Sequence, residues 1–238
     1  MEVFIYATLL QWKRDLRNKN VLLVYYIIPL IFWAFMGAIF SSITPEIKKV
    51  LIQVLTVLSV STGAILGAPV SLVDTYTSDV KKAYIVGNIK LWIGVVSNFI
   101  SALIHLSIVS VIIYILTPIA FHAEKPHNLL VYIASLLLFM ITSISVGTVL
   151  GLFVKDQSKL TIYSQMVYLP SLMLSGAMFD ASLLPKVFDL VGKLFPATWG
   201  YLAMKNAELS IRFIAPQIII IGISFILIVF RLIRIMKE

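Results

Sequence analysis

In this chain of 238 residues 60% are apolar or aromatic and only 13% are charged, which excludes an ordinary soluble domain, where charged residues make up about a quarter. The net charge of +8 is scattered between long apolar runs, so a dedicated nucleic-acid surface does not explain it. The absence of cysteine excludes disulfides and thiolate metal sites.

Several runs exceed the roughly 18 nearly uncharged residues needed to cross the bilayer core, and the length accommodates six such spans with short connections and no separate soluble domain. The expected fold is an all-α integral membrane protein with a single transmembrane domain over 1–238. In MEVFIYATLLQWKRDLRNK the charges follow the apolar residues, so no cleavable signal peptide is expected. Across residues 1–19, Val3, Phe4, Ala7, Leu10 and Leu16 fall at helical spacing, while Gln11, Lys13, Arg14, Arg17 and Lys19 mostly take other positions. This predicts an amphipathic interfacial helix. A frayed terminus carrying topogenic charges is the plainer alternative.

The first span is expected at about 21–40, with Pro29 inside it, and the second at about 50–73, where Gly63 and Gly67 permit close helix contact. Residues 74–90, DTYTSDVKKAYIVGNIK, form the longest polar loop. Here Asp74 and Asp79 precede Lys81 and Lys82, with Tyr76 and Tyr84 interleaved. The stretch that begins Asp79-Val80-Lys81-Lys82 can form a short surface helix that docks in a groove of a soluble partner. It reads equally well as a solvated loop. The third span, about 91–116, contains His105, and Pro118 is expected to stop it. His122, Glu124 and His127 lie in the next loop. A two-histidine loop is more often solvated polarity than a chelate, and no metal site is expected.

The fourth span, about 129–154, gathers Thr142, Ser143, Ser145, Gly147, Thr148 and Gly151 in its later half. The fifth, about 160–179, runs into a broken amphipathic stretch at 180–201, interrupted by Pro185, Gly192 and Pro196. That stretch is expected to lie in the interface or to re-enter the membrane part-way, and a plain surface linker is the alternative. The last span, about 213–230, ends at RLIRIMKE. Twelve of the nineteen basic residues fall on the side of the termini and seven on the other. This places both termini in the cytoplasm of a cell-membrane protein.

No catalytic constellation is present. The chain lacks a phosphate loop, a zinc-protease motif and a serine nucleophile motif, so it is not expected to hydrolyse ATP. Apart from tyrosines, His105 is the only titratable group read near mid-membrane, and a packed hydrogen-bonding role is the ordinary reading for it. The scarcity of charge within the spans argues against an ion-coupled secondary transporter. It favours a path for amphipathic or lipid-like cargo.

These features resemble the type-two ABC exporter permeases (ABC-2 type transporter transmembrane subunits). They share six spans, an amphipathic amino-terminal helix, a charged first inner loop and a broken outer segment before the last span. The closest local likeness is LPSLMLSGAMFDASLLPKVFDLVGKLFPATWGYLAM, residues 169–204. Pro170, Ser175, Gly176, Phe179, Leu184, Pro185, Phe195, Pro196 and Trp199 occupy the places of the family pattern. The resemblance implies a homodimer or paired permease driven by two copies of a separate cytoplasmic ABC ATPase. ATP and magnesium would sit on that partner, no cofactor on this chain, and membrane lipids would surround it.

By the same likeness residues 74–90 are the coupling segment, with Asp74, Asp79, Val80, Lys81, Lys82 and Tyr84. Ser175, Gly176, Phe179, Leu184, Pro185, Phe195, Pro196 and Trp199 are likewise the re-entrant outer gate. The family's glycine-threonine pair is missing from the loop, and Asp74 and Asp79 stand in for its glutamates. The other reading is a non-transport sensor or immunity subunit that holds an ATPase.

Overall fold

The computed structural model describes residues 2–43, 45–77, 84, 86, 87, 89–179 and 184–237, and among these the chain is helical with no strand. Helix α1 is Glu2–Arg17 and α2 is Lys19–Ile43. After a short 3-10 turn at Pro45–Lys49 come α3 (Leu51–Thr77), α4 (Leu91–Phe121) and α5 (Leu129–Phe153). Then follow α6 (Gln157–Met173), α7 (Lys186–Gly192), α8 (Pro196–Asn206) and α9 (Ile211–Lys237). Side-chain caps set several of the starts. Asn18 accepts from the backbone of Asn20 and Val21, Asn128 from Val131 and Asp156 from Lys159. Among the described residues five helices, α2, α3, α4, α5 and α9, are long and apolar enough to cross a membrane.

Helix α3 is the axis of the bundle. Its most apolar window is 94% buried, against 17% for α2 and for α9, whose outer faces are left to lipid. Its hydroxyls tie it to three neighbours. Thr56 Oγ1 lies 2.9 Å from the Tyr132 hydroxyl of α5, and Ser71 Oγ donates to Asp15 of α1 at 2.7 Å. Thr62 donates to its own Leu58 carbonyl, so at 2.8 Å it is the Tyr168 hydroxyl of α6 that donates to Thr62. Small residues bring α5 close as well. A Cβ on Gly147 would fall on the Ala64 carbonyl oxygen, and one on Gly151 would meet the backbone of Pro69. A π turn at Gly63–Gly67 in α3 faces a second one at Leu23–Ile27 in α2, and the Tyr25 ring packs against both glycines. The expected Gly63/Gly67 contact therefore receives an aromatic ring as well as a helix.

Several expected boundaries move. The second span continues to Thr77, so Asp74 belongs to its last turns rather than to a loop. Pro118 does not stop the third span, which runs on to Phe121. A proline removes a single backbone donor, and a membrane helix tolerates one. Helix α6 stops at Met173 instead of 179, where Leu174 leaves helical geometry (φ −96°, ψ 0°). The last helix carries RLIRIMK as two further turns. Helix α1 forms, with its leucines exposed and part of its polar face turned inward. Leu10 and Leu16 are exposed beside Ile5, Tyr6 and Leu9, whereas Gln11 and Asp15 are 4% and 3% exposed against the bundle.

The glycine contacts yield a paired test. Gly147→Val should cost about 1–3 kcal/mol by overpacking and lower the melting temperature in detergent, while Gly222→Val should leave it unchanged, since nothing lies within 4 Å of a Cβ there. Equal melting of both variants would contradict the described α3–α5 contact.

Candidate functional site

The termini-bearing face joins the ends of many elements. Leu72 of α3, Leu91 and Val95 of α4, Leu152 of α5 and Ile235 of α9 form one apolar cluster there, with Tyr76, Tyr84, Ile228 and Leu232 packed against it. Tyr76 donates to the Leu91 carbonyl, and both tyrosine rings approach Gly94 of α4. Burial pushes the Tyr84 phenol above its ordinary range, and the nearby Arg14 guanidinium offsets part of that. Asp74 turns the other way, toward α6, and accepts from Gln157 Nε2 at 2.8 Å. The structure therefore places Asp74 and Tyr84 on one face without bringing them together. Asp79, Val80, Lys81 and Lys82 lie outside the described residues.

Between α2, α3 and α6 a cleft of about 510 Å³ opens beside Asp74. Asn18, Asn20, Asp74, Gln157 and Thr161 give it a polar part, and Leu23, Val24, Leu66 and Val70 an apolar wall. Ser164 also lines it, with its Oγ buried and without a hydrogen-bond partner. A polar entrance above an apolar wall suits a molecule that has both characters.

The opposite face carries the predicted gate residues. Ser175 Oγ donates to the Leu172 carbonyl at 2.7 Å and accepts from the Ala177 amide at 3.1 Å, which closes a turn after α6. Gly176 sits at φ 81°, where a side chain would be strained. Phe179 is exposed, Leu184 is half-buried, and Pro185 caps α7. Most of the α7 side chains are exposed, including Val187, Phe188 and Leu190, with Leu194 just beyond it. Phe195 is extended and half-buried, and Pro196 opens α8. Helix α8 then returns to the core through Ala197, Tyr201 and Met204. The junction is tied twice: Thr198 Oγ1 donates to the Gly192 carbonyl at 2.6 Å, and Trp199 Nε1 to the Lys193 carbonyl at 2.8 Å. Leu169, Pro170, Met173, Phe179, Leu184 and Phe188 line an apolar groove of about 400 Å³ beneath α7. The predicted residues thus gather on one platform.

The family model for the ABC-2 type transporter matches residues 2–209, from α1 to the segment before α9. The chain belongs to the ABC-2 type transporter family. It is an ABC permease subunit, a multi-pass membrane protein of a family that is generally non-catalytic and partners an ABC ATPase. No curated protein and no solved structure matches the chain.

Sequence reasoning missed a polar centre in this permease. Asp15 is buried and accepts from Gln11, Ser71 and Ser101. His105, read as lying near mid-membrane, is placed within this centre: its Nδ1 lies 2.7 Å from the Tyr26 hydroxyl, its ring stacks on Tyr25, and Trp12 lies nearby. The available signal was a lone acid in the basic run KRDLRNK, four residues after Gln11 on one helical face.

The platform generates its own expectation. Thr198→Val together with Trp199→Phe removes two bonds, each worth about 0.5–1.5 kcal/mol net. Amide exchange over residues 186–195 should accelerate while exchange in α3 is unchanged. Unaltered exchange at 186–195 would show that these bonds do not hold α7.

Proposed function

We propose that this chain is the permease of an ATP-driven exporter that moves an amphipathic, lipid-like substrate, drug or peptide across the cell membrane. The observation that carries this reading is the cleft between α2, α3 and α6, with its polar entrance beside Asp74 and its apolar wall toward the bundle. In this reading the face bearing both termini is cytoplasmic, consistent with the excess of lysine and arginine on that side. Residues 74–90 dock on the ATPase, with Asp79, Val80, Lys81, Lys82 and Tyr84 at the contact and Asp74 linking it through Gln157 to α6. Two ATPase copies bind ATP and magnesium, and a second permease copy completes a homodimer around the path.

ATP-driven closure of the ATPase pair supplies the free energy. The permease contributes a change of population between arrangements that expose the cleft to opposite sides. Helix α6 together with α7 and α8 makes the fifth crossing and its re-entrant outer portion. Ser175, Gly176, Phe179, Leu184, Pro185, Phe195, Pro196 and Trp199 form the outer gate. The apolar groove beneath α7 gives departing cargo a surface of matching character.

The test is gentle extraction from the native host, followed by an ATPase assay on wild type and on the triple variant Asp79→Ala, Lys81→Ala, Lys82→Ala. A nucleotide-binding partner should copurify with wild type, its activity should rise with amphiphile, and the variant should lose most of the binding or the stimulation. A partner that binds but never responds to any amphiphile would point to a sensor or immunity subunit. Absence of a partner would contradict the exporter reading.

A further inference from the structure

Helices α4 and α5 leave a groove between them on the half of the bundle away from the termini. It encloses about 310 Å³, with Val111 and Tyr114 of α4 on one wall and Leu129, Tyr132, Ile133 and Met140 of α5 on the other. The hydroxyls along it are mostly turned to protein. Ser107 Oγ donates to the Leu103 carbonyl, the Tyr132 hydroxyl pairs with Thr56 at 2.9 Å, and Ser110 Oγ is buried. What the groove shows to the outside is carbon, since Val111, Leu129 and Ile133 are exposed. Its deep end is closed where Ser107 Oγ meets the Met140 sulfur at 3.9 Å.

The mouth of the groove carries a cation. Helix α4 ends at His122 in left-handed geometry (φ 53°), and Ala123 is then buried in the core. The Glu124 amide donates to the Lys48 carbonyl at 3.0 Å, which ties this loop to the turn before α3. The next residue, Lys125, holds its ammonium 6.0 Å from the centre of the Tyr114 ring. Tyr114 is itself part of the wall, so the charge stands at the entrance. Among the described residues Lys125 has no acidic partner, the recorded ion pair being Lys193–Asp189. The two joined segments carry Lys48, Lys49 and Lys125 against Glu46 and Glu124, so positive charge prevails there.

We propose that this groove holds one anionic phospholipid of the leaflet away from the termini, with an acyl chain between α4 and α5 and the phosphate on the Lys125 ammonium. Depth and charge select this occupant. From Leu129 to Met140 the groove descends about 16 Å along α5. That is the depth of one leaflet, half of the ~30 Å hydrocarbon core. Tyr114 and Tyr132, with ring centres 5.9 Å apart, stand at the shallow end, where amphipathic rings meet the headgroup level. An ammonium against a ring keeps its hydrogens for a phosphate. A zwitterionic headgroup brings its own cation, so a net negative one gains most from Lys125. The chain completes a contact between α4 and α5 that protein leaves open. This inference stands whether or not the exporter reading does.

The test is native mass spectrometry of the full chain released from bilayers of equal phosphatidylglycerol and phosphatidylcholine. One phosphatidylglycerol per chain should survive release, and added phosphatidylglycerol, unlike phosphatidylcholine, should raise the melting temperature in detergent. Lys125→Gln should weaken that retention about fivefold, the worth of one lysine near an anionic surface, and Lys125→Arg should preserve it. Val111→Trp fills the groove and should abolish retention although Lys125 is still present. Lys125 is exposed, so its two variants decide the matter even if Val111→Trp does not fold. Equal retention of both lipids, or retention indifferent to Lys125→Gln, overturns the headgroup assignment. Retention indifferent to Val111→Trp in a folded variant overturns the groove. The chain lacks cysteine, so Val111→Cys can be oxidised in the bilayer as a single site. Efficient cross-linking between copies would show that a second chain covers this face, which also overturns the lipid.

Discussion

Hydrocarbon offers no hydrogen bonds, so a polar helix can sit in a membrane only when other helices surround it. Helix α3 is such a helix. It carries Thr56, Thr62, Ser71 and Thr75 within a stretch that is almost wholly buried, and its hydroxyls reach a tyrosine of α5, a tyrosine of α6 and the carboxylate of α1. Gly147 and Gly151 let α5 come close enough to cover it. The outer helices follow from this arrangement. Because α3 fills the middle, α2 and α9 are left to face lipid, and α1 is drawn against the bundle by its polar residues rather than its leucines.

Function depends on the same axis. Its termini-side end carries Asp74 toward α6 and Tyr76 toward α4, which is where the proposed coupling of residues 74–90 to the cleft would act. Near its middle, Gly63 and Gly67 make a π turn against the ring of Tyr25, opposite a π turn in α2. Such turns replace regular helix bonds with looser ones and recur at functional sites. In the proposed transport cycle these paired irregularities are where α2 and α3 would change shape. At the far end the platform of α7 and α8 is held by two hydrogen bonds at the junction.

Long apolar runs made most of the helices legible from sequence, as length and composition are what a membrane selects. Asp74 was harder, because a helix that projects beyond the lipid gains polar residues without ending. Pro118 misled because a membrane helix tolerates the loss of the single donor that a proline removes. The interfacial reading of α1 left the destination of its polar residues open. Beside lipid the apolar face can point outward, so Gln11 and Asp15 turned inward instead. The serine-glycine and phenylalanine-proline pairs did mark a coherent platform, since Gly176 and Pro196 are tied to backbone geometry that few residues satisfy. The bonds of Asp15 to Ser71 and Ser101 were not legible, because residues 56 and 86 apart in sequence meet only once α1 is docked.

The central claim is that the cleft between α2, α3 and α6 is a transport path that an ATPase opens and closes. The most direct measurement is the distance across it, from spin labels at Val24→Cys and Thr161→Cys, in the permease assembled with its ATPase in nanodiscs. The account predicts two distance populations whose ratio changes when a non-hydrolysable ATP analogue is added and returns when it is removed. A single population, indifferent to nucleotide while the ATPase is bound and active, would contradict it.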